Sequence, residues 1–274
     1  MRIAVAMSGG VDSSLAAALL HREGHEVVGL TAKILLCSEM DGTEPRFDVC
    51  CSPENIADAR AIANKFGFPH FVIDTEEDFS REIVDPFCDE YLKGRTPSPC
   101  LACNAKIKFK SLLARAKELG CEKLATGHYA QIDSANGRFF VKAALDEAKD
   151  QSYFLSMLNQ EILSSVLFPL GRFRKEETRM HASAIGLEVA HKAESQEICF
   201  VLDNDYAGYI ERRRHIPPRP GNIVDESGRV LGTHRGIHRH TIGQRRGLGI
   251  AHPEPLYVID IRPLSNEIVV GPRH

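Results

Sequence analysis

The 274-residue chain contains no run of about 18 apolar residues, the length that a membrane-spanning helix requires. It contains no low-complexity tract, and its first residues enter an apolar stretch directly, which leaves no room for a signal peptide. These absences predict a cytoplasmic globular protein with no membrane partner, of a length that suits one large or two modest domains. The net charge of −3 means that any polyanionic partner must be bound by a local basic patch.

A lysine is missing from the most informative segment, residues 8–14, which reads Ser-Gly-Gly-Val-Asp-Ser-Ser after an apolar run. A strand that ends in a glycine-rich turn and opens a helix predicts a phosphate site. Glycine lets the backbone approach an anion, and the first helical N–H groups have no partner within the helix. Because the lysine of GxxxxGK[ST] is absent, the segment is not that NTPase motif. A glycine-rich turn in an ordinary doubly wound fold is the alternative.

Alternating strand and helix patterns predict the fold class. Strand patterns cover residues 2–7, 26–33, 70–74 and 123–126, and helical patterns cover 13–23, 53–66, 76–92 and 105–119. This order predicts an α/β fold with a doubly wound parallel sheet, over residues 1–205 including a helical connection. In such a sheet, ligands bind beyond the carboxyl ends of the strands, where residues 8–14 lie.

The pattern changes in residues 206–274, where four short β-like runs predict a small β-rich domain. The runs cover residues 222–225, 230–234, 256–261 and 267–270. Residues 205–246 hold nine arginines against four acidic residues. Near a nucleotide-dependent site this composition favours an RNA-binding face, to which Lys106, Lys108, Lys110 and Lys149 would add charge. A solvated basic face is the alternative.

The cysteines point to chemistry rather than to a disulfide framework, because we expect an intracellular protein. Cys100 and Cys103 form a CxxC pair, and Cys50 is adjacent to Cys51. Such spacing is typical of metal binding, clusters or redox reactions.

Further motifs follow in a fixed order along the chain. They are CCS at 50–52, GRTPSPCLACN at 94–104, IKF at 107–109, ATGHY at 125–129, KDQSYFL at 149–155, FPLG at 168–171, SQEICF at 195–200 and TIGQRRGL at 241–248. SGGVDS is the signature of the PP-loop ATP pyrophosphatases, which have an adenine nucleotide α-hydrolase-like fold. The whole set resembles the tRNA-specific 2-thiouridylase (MnmA) family. The resemblance implies a sulfurtransferase that splits ATP at the α phosphate and replaces O2 of the tRNA wobble uridine, U34, by sulfur.

The resemblance also implies residue roles. The ATP-binding residues are Ala6, Met7, Ser8, Gly9, Gly10, Val11, Asp12, Ser13, Ala32 and Gly127. The resemblance makes Cys103 the nucleophile, Cys199 the persulfide carrier and His128 a residue that orients groups near the active site. Contacts with the target base are implied for Ser98, Pro99 and Cys100, and contacts with tRNA for Lys149, Asp150 and Gln151. Ala32 replaces the methionine that the family usually places beside adenine, so we expect it to pack there less fully.

The chemistry of the residues agrees with this resemblance. A uracil carbonyl is a poor electrophile, and transfer of AMP to its oxygen creates a good leaving group. Release of sulfur from a persulfide then needs a second thiol, which two cysteines distant in sequence would supply. The sulfur donor would be a persulfide carrier or sulfide. Asp12 either helps to hold Mg²⁺ on the pyrophosphate or caps the helix.

Two departures from the family pattern leave alternatives open. Many members have aspartate where this chain has Cys100. Cys100, Cys103 and Cys199 are therefore candidate ligands of a [4Fe–4S] cluster, as an alternative to the persulfide route. A zinc site formed by Cys50, Cys51, Cys100 and Cys103 is the third alternative, placed last because the usual double CxxC spacing is missing. The family also continues into a C-terminal β-barrel after the last motif here, so we expect fewer tRNA contacts or a different RNA substrate.

Two other function classes remain at this point. A PP-loop ligase or amidotransferase-like synthetase acting on a small molecule would share residues 8–14 but would need no paired cysteines. A sulfur carrier or RNA-binding paralogue without activity would not need the intact loop together with Cys103 and Cys199.

Overall fold

The computed structural model describes residues 1–34, 52–193, 198–201 and 203–272. Its strands are β1 (Arg2–Ala6), β2 (Glu26–Lys33), β3 (His70–Asp74), β4 (Lys123–Thr126), β5 (Gln131–Ala135), β6 (Arg138–Lys142), β7 (Val166–Leu167), β8 (Gly221–Val224), β9 (Val230–His234), β10 (Tyr257–Arg262) and β11 (Glu267–Gly271). Its α-helices are α1 (Val11–Arg22), α2 (Pro53–Phe66), α3 (Glu76–Phe79), α4 (Asp85–Leu92), α5 (Pro99–Ala102), α6 (Leu113–Glu118), α7 (Gln160–Leu163), α8 (Lys175–Ala184) and α9 (Tyr206–Arg214). Short 3-10 helices cover Glu147–Lys149, Ser152–Leu155, Glu188–His191 and Ile237–Arg239.

The parallel sheet of the predicted α/β fold is confirmed. Its described strands follow the order β3-β2-β1-β4-β7, and every neighbouring pair is parallel. Ala6, the last residue of β1, pairs with Leu30 on one side and with Thr126 on the other. The loops that follow β1 and β4 therefore leave the sheet at the same edge.

Both faces of this sheet are covered by apolar side chains. Ile3 and Val5 of β1 belong to a buried cluster with residues of α1, α2 and α8, such as Leu15. Ala4, between them, belongs to a second cluster that includes Phe109. Because successive strand side chains point to opposite faces, this alternation shows that the sheet is doubly wound.

Two predicted helices contain π-helical segments. The helix predicted at 76–92 is α3, then a π-helical segment at Ser80–Val84, then α4. The helix predicted at 105–119 instead begins with α5, and a π-helical segment at Cys103–Leu112 leads into α6. Apolar periodicity does not distinguish one helical register from the other, whereas π-helical turns are often found at functional sites.

The hairpin of β5 and β6 was not predicted from the sequence. Its turn contains Asn136 and Gly137, both with positive φ angles of 52° and 74°. Asn-Gly between two strand patterns is a strong short-range signal for such a hairpin. This signal was present in the sequence.

The described residues divide into two compact units. Unit 1 comprises residues 1–82 and 100–202, and unit 2 comprises residues 83–99 and the chain from 203 onward. This differs from the sequence-based division at residue 205, because residues 83–99 pack within unit 2. There, the rings of Tyr91 and Tyr206 lie 4.8 Å apart, and Arg214 of α9 binds Asp89 of α4.

Unit 2 confirms the small β-rich domain. Its described strands form a mixed sheet in the order β10-β11-β8-β9, with Ile223, Ile268 and Val270 fully buried. Among the described helices of the chain, none is long and apolar enough to cross a membrane.

Candidate functional site

The loop between β1 and α1 has the geometry of a phosphate cradle. Gly10 is the N-cap of α1 and has no side chain to accept hydrogen bonds from the first helical turn. Within the loop, the Ser8 N–H donates to Ser13 Oγ at 3.1 Å, and Ser14 Oγ donates to the Gly10 carbonyl at 2.7 Å. These bonds fix the curvature of the loop and leave first-turn N–H groups available to an anion.

Two glycines allow the surrounding backbone to close on this loop. Gly9 has a φ of +71°, and a Cβ there would lie 2.2 Å from the Asn55 carbonyl oxygen. A Cβ on Gly127, just after β4, would lie 2.6 Å from the backbone nitrogen of Ser13. Any larger residue at either position would displace backbone. A Cβ on Gly10, by contrast, would meet nothing closer than Ser8 Oγ at 3.6 Å.

Asp12, in the first turn of α1, forms an ion pair with a lysine distant in sequence. The Lys175 ammonium donates to both carboxylate oxygens of Asp12 at 2.8 Å. The Tyr129 hydroxyl donates to Asp12 Oδ1 at 2.9 Å and lies 2.8 Å from the hydroxyl of Thr178. The Asp12 carboxylate is therefore paired with Lys175 and Tyr129, a role that neither the magnesium-binding nor the helix-capping prediction foresaw. We assign no metal ion to Asp12.

A second lysine contacts the loop from the other side. The Lys192 ammonium lies 3.5 Å from the Gly9 carbonyl oxygen and also binds Asn55 and Asp58 of α2. Arg179 of α8 donates to the carbonyl oxygens of Ala190 and Lys192. These bonds fix the backbone that carries the Lys192 side chain.

Neither lysine was predicted from the sequence. The sequence shows only that the loop has no lysine of its own, while the structure places two ammonium groups against it from more than 160 residues away. No local motif signals such an arrangement.

The other residues predicted to bind ATP include Ala32, which we expect beside adenine, and lie at or near the carboxyl ends of β1 and β2. Met7 is buried, and its N–H donates to the Leu30 carbonyl at 2.8 Å. The Thr31 hydroxyl donates to the Met7 carbonyl, also at 2.8 Å. Ala32 is half-buried next to Thr31, and Ala6 and Val11 flank the loop. The end of β2 that carries Ala32 is thus bonded, through backbone and hydroxyl contacts, to Met7, the residue before the phosphate loop.

His128 is buried directly after Gly127. Its Nδ1 lies 2.7 Å from the Thr126 hydroxyl, and its ring packs against Phe109 and Phe168. Burial, and then the positive charge of Lys108, holds the pKa of His128 well below its ordinary value. The imidazole is therefore neutral at pH 7, and its packing is that of a residue that holds the loop after β4.

The predicted catalytic cysteines lie on different segments of unit 1. Cys103 is half-buried and is the first residue of the π-helical segment, while Cys100 is exposed on α5. Cys199 is half-buried in a short turn closed by the Val201 N–H to Ile198 carbonyl bond. Cys50 and Cys51 lie outside the described residues. The described His, Cys, Asp and Glu side chains include no group of three arranged to hold a metal ion.

Both cysteine segments are attached to the same helical stretch. Phe200, next to Cys199, packs against Phe79 with ring centroids 5.7 Å apart. Glu82, three residues after Phe79, accepts from the Lys106 ammonium at 2.7 Å. Lys106 in turn follows Cys103 by three residues. Phe79 and Glu82 thus contact the neighbours of Cys199 and of Cys103, respectively.

The residues expected to contact RNA are also structurally engaged. Gln151 Oε1 accepts from the Tyr129 N–H at 3.0 Å, and the Gln151 N–H donates to the Tyr129 carbonyl at 2.8 Å. Partial burial of Asp150 is outweighed by hydrogen bonds from Ser152 and from the Ala144 N–H, which lower the pKa of Asp150. Lys149 is half-buried and is the last residue of a 3-10 helix. Pro99 is also half-buried, whereas Ser98 is exposed.

Four of the nine arginines in residues 205–246 form ion pairs within unit 2. Arg212 binds Asp203, Arg213 binds Asp85, Arg214 binds Asp89, and Arg239 binds Glu211. Arg235, Arg245 and Arg246 are exposed and make no side-chain ion pair within the described part of the chain. The charge available to a polyanion is therefore smaller than the composition indicates.

Comparison with known proteins extends over both units. Residues 1–203 match the family model of the tRNA methyl transferase HUP domain, and residues 212–272 match that of the tRNA methyl transferase PRC-barrel domain. The chain is 52% identical over 274 residues to the tRNA-specific 2-thiouridylase MnmA of Geobacter metallireducens, covering 99% of this chain and 74% of that relative. The MnmA of Geotalea uraniireducens is likewise 52% identical, covering 99% and 73%. MnmA 2 of Clostridium tetani is 50% identical, covering 98% and 75%. The chain therefore belongs to the tRNA-specific 2-thiouridylase (MnmA) family.

Proposed function

We propose that this chain is an ATP-dependent sulfurtransferase that converts a tRNA uridine, U34 at the wobble position, into 2-thiouridine. The observation that carries the proposal is the phosphate cradle of Gly9, Gly10 and Gly127, which lies in the same compact unit as Cys103 and Cys199. The relatives at 52% identity are named as enzymes of this activity. The domain models carry methyl transfer in their description, but methyl transfer requires neither an ATP-splitting loop nor two thiols.

ATP is a substrate of the proposed reaction, and the chain holds its phosphates. N–H groups of the first turn of α1 and the hydroxyls of Ser8 and Ser13 face the phosphates. The Lys175 and Lys192 ammonium groups lie against the loop, each paired with a carboxylate, Asp12 and Asp58 respectively. Uracil O2 attacks the α phosphate and pyrophosphate leaves, so that O2 becomes part of a good leaving group. Mg²⁺ accompanies the pyrophosphate, and no described residue is assigned to it.

Sulfur transfer then uses the two cysteines. A persulfide on Cys199 attacks C2 of the adenylated uridine, and AMP departs with the original oxygen. The Cys103 thiolate attacks Sγ of Cys199, which breaks the sulfur–sulfur bond, releases 2-thiouridine and leaves a Cys103–Cys199 disulfide. An external thiol reduces that disulfide, and a persulfide carrier then transfers its outer sulfur to the Cys199 thiolate. Where sulfide is the donor, it attacks Sγ of Cys199 in the disulfide itself, which forms the Cys199 persulfide and releases the Cys103 thiolate.

The CxxC sequence makes a second route, through an iron–sulfur cluster, a hypothesis that can be tested. Cys100, Cys103 and Cys199 are not arranged as a metal-binding group, so we derive no step through a [4Fe–4S] cluster. Purification without oxygen separates the routes. The persulfide route predicts an active protein without iron and substantial activity in Cys100→Ser. The cluster route predicts about four irons per chain and loss of iron and activity in that variant.

The activity itself is tested in a host whose tRNA lacks 2-thiouridine. The wild-type chain and its Cys103→Ala variant are expressed, and tRNA nucleosides are measured by mass spectrometry. We expect 2-thiouridine to return only with the wild-type chain. A wild-type chain that binds ATP but restores no thiolated nucleoside would favour a small-molecule ligase.

A further inference from the structure

We propose that Tyr153 is a stacking platform for an unpaired base of the tRNA substrate, next to the nucleotide that reacts. The inference rests on the proposed tRNA thiolation and extends the expected contact residues 149–151 to an aromatic side chain. It starts from an exposed ring: Tyr153 is 66% exposed, in the 3-10 helix Ser152–Leu155.

The turn that carries Tyr153 is fixed rather than loosely attached. Leu155 is 1% exposed and anchors the end of the turn in the core of unit 1. The Phe154 ring supports the Tyr153 ring in a T-shaped contact, with centroids 5.6 Å apart and an interplanar angle of 78°. The tyrosine ring is thus held in place while most of its surface faces solvent.

The same turn is bonded to the segments that carry the reacting groups. Asn104, which follows Cys103, donates from Nδ2 to the Phe154 carbonyl at 3.0 Å. On the other side, Gln151 exchanges two hydrogen bonds with the backbone of Tyr129, whose hydroxyl binds Asp12. Tyr153 therefore lies in a turn that is hydrogen-bonded both to the segment after Cys103, through Phe154, and to Tyr129, through Gln151.

The chemistry of the substrate favours a base as the occupant. An enzyme that modifies uracil O2 must take that base out of its stack, which leaves neighbouring bases without a stacking partner. Single-stranded RNA is typically recognised by stacking such bases on aromatic side chains. These features together favour RNA over a protein partner.

The test measures tRNA affinity with four proteins: the wild-type chain, Tyr153→Phe, Tyr153→Leu and the control Met157→Ala. Met157 is a comparable exposed apolar side chain, 56% exposed and four residues further on. Loss of one base–aromatic stack weakens binding about tenfold in Tyr153→Leu, while the phenylalanine variant and the Met157 control stay within about twofold of wild type. Stacking releases no counterions, so the salt dependence of binding is unchanged in Tyr153→Leu.

A fluorescent 2-aminopurine beside the target uridine provides a direct readout. Wild type and Tyr153→Phe quench its emission, and Tyr153→Leu does not. Equal tRNA affinity of wild type and Tyr153→Leu, equal weakening in Tyr153→Phe and Tyr153→Leu, or a reduced salt slope would each overturn the inference. If the wild-type chain thiolates tRNA and Tyr153→Leu binds tRNA as tightly as the wild type, the stacking inference is wrong but the proposed function stands. If the wild-type chain binds no tRNA, the proposed function fails as well.

Discussion

The Lys175 ammonium lies 2.8 Å from both carboxylate oxygens of Asp12, across 163 residues of sequence. This pair joins the first turn of α1 to the start of α8, beside a phosphate loop that has no lysine of its own. One residue further, Ser13 approaches Gly127 closely. The proposed nucleotide site therefore combines three segments distant in sequence, and the ion pair belongs to that combination.

Breaking this pair from one side will destabilise the protein and stop adenylation. Lys175→Met leaves the Asp12 carboxylate without its cation. Removal of one partner of a buried pair costs about 3–5 kcal/mol, and the partial exposure of Asp12 places the expected loss near the lower end. Thermal unfolding and tRNA-dependent release of AMP measure the two effects separately.

The double variant Asp12→Asn with Lys175→Met separates stability from function. Because it removes both charges, we expect it to regain most of the lost stability while AMP formation stays absent. If the double variant also regained AMP formation, the pair would be structural only.

The glycine after β4 is expected to tolerate no side chain. Gly127→Ala would place a Cβ 2.6 Å from Ser13 N and 2.7 Å from the Asp12 carbonyl carbon, so the start of α1 must move. We expect ATP affinity to fall at least tenfold, measured by calorimetry. Gly137→Ala is the control, since its positive φ gives strain of about 1 kcal/mol without any contact within 4 Å. Equal ATP affinity in both variants would contradict the close approach.

The arginines of unit 2 are expected to divide into two groups. Charge reversal at Arg214 breaks its pairs with Asp85 and Asp89 and lowers stability. Charge reversal at the exposed Arg245 and Arg246 leaves stability unchanged and weakens tRNA binding. Each arginine that no longer neutralises a phosphate lowers the slope of log K against log salt by about 0.7–0.9. Melting temperatures and salt titrations of tRNA affinity distinguish the groups, and an unchanged slope in the second group would remove it from the RNA face.

Acid is expected to destabilise unit 2 through its buried histidines. Burial, and then neighbouring His234, His238 and Arg239, lowers the pKa of His240 from 6.5 to about 4. Burial also lowers the pKa of His234, although its hydrogen bond to the Asn266 carbonyl opposes the shift. The native state excludes protons that the unfolded chain binds, so stability is full above pH 6.5 and falls as the pH drops towards 4.

His240→Phe removes one of these titrations and keeps a ring against His234. Its melting temperature should depend less steeply on pH between about 7 and 4 than that of wild type. The exposed His252 serves as control, since His252→Gln should retain the wild-type pH dependence. An equally steep dependence in His240→Phe would show that other groups cause the acid sensitivity.

The fold could be predicted from the sequence because the apolar residues follow clear strand and helix periodicities. The strands β2 and β3 and the helix α2 have the predicted bounds. The π-helical segment that begins at Cys103 could not be predicted, because the pattern of apolar residues does not distinguish it from an α-helix. The missed β5–β6 hairpin did carry an Asn-Gly signal.

The candidate site could be predicted from the sequence only in part. The candidate phosphate loop could be proposed from the sequence because its residues are adjacent in the chain. The contacts of Lys175 and Lys192 depend on tertiary packing, and a lysine in a helix or connection has no local pattern that reveals its partner. For the same reason the arginine count overestimated the basic face, since acids on α4 pair with α9.

The central claim is that ATP is split at the α phosphate in order to place sulfur on a tRNA uridine. Its most direct test is a single-turnover reaction of the purified chain with ATP, Mg²⁺, tRNA and a persulfide donor, in which AMP, pyrophosphate and 2-thiouridine are quantified together. We expect equal amounts of all three products. With Cys199→Ala we expect pyrophosphate and adenylated tRNA but no 2-thiouridine, and without tRNA we expect no product. Formation of ADP and phosphate, or 2-thiouridine without an equal amount of AMP, would contradict the claim.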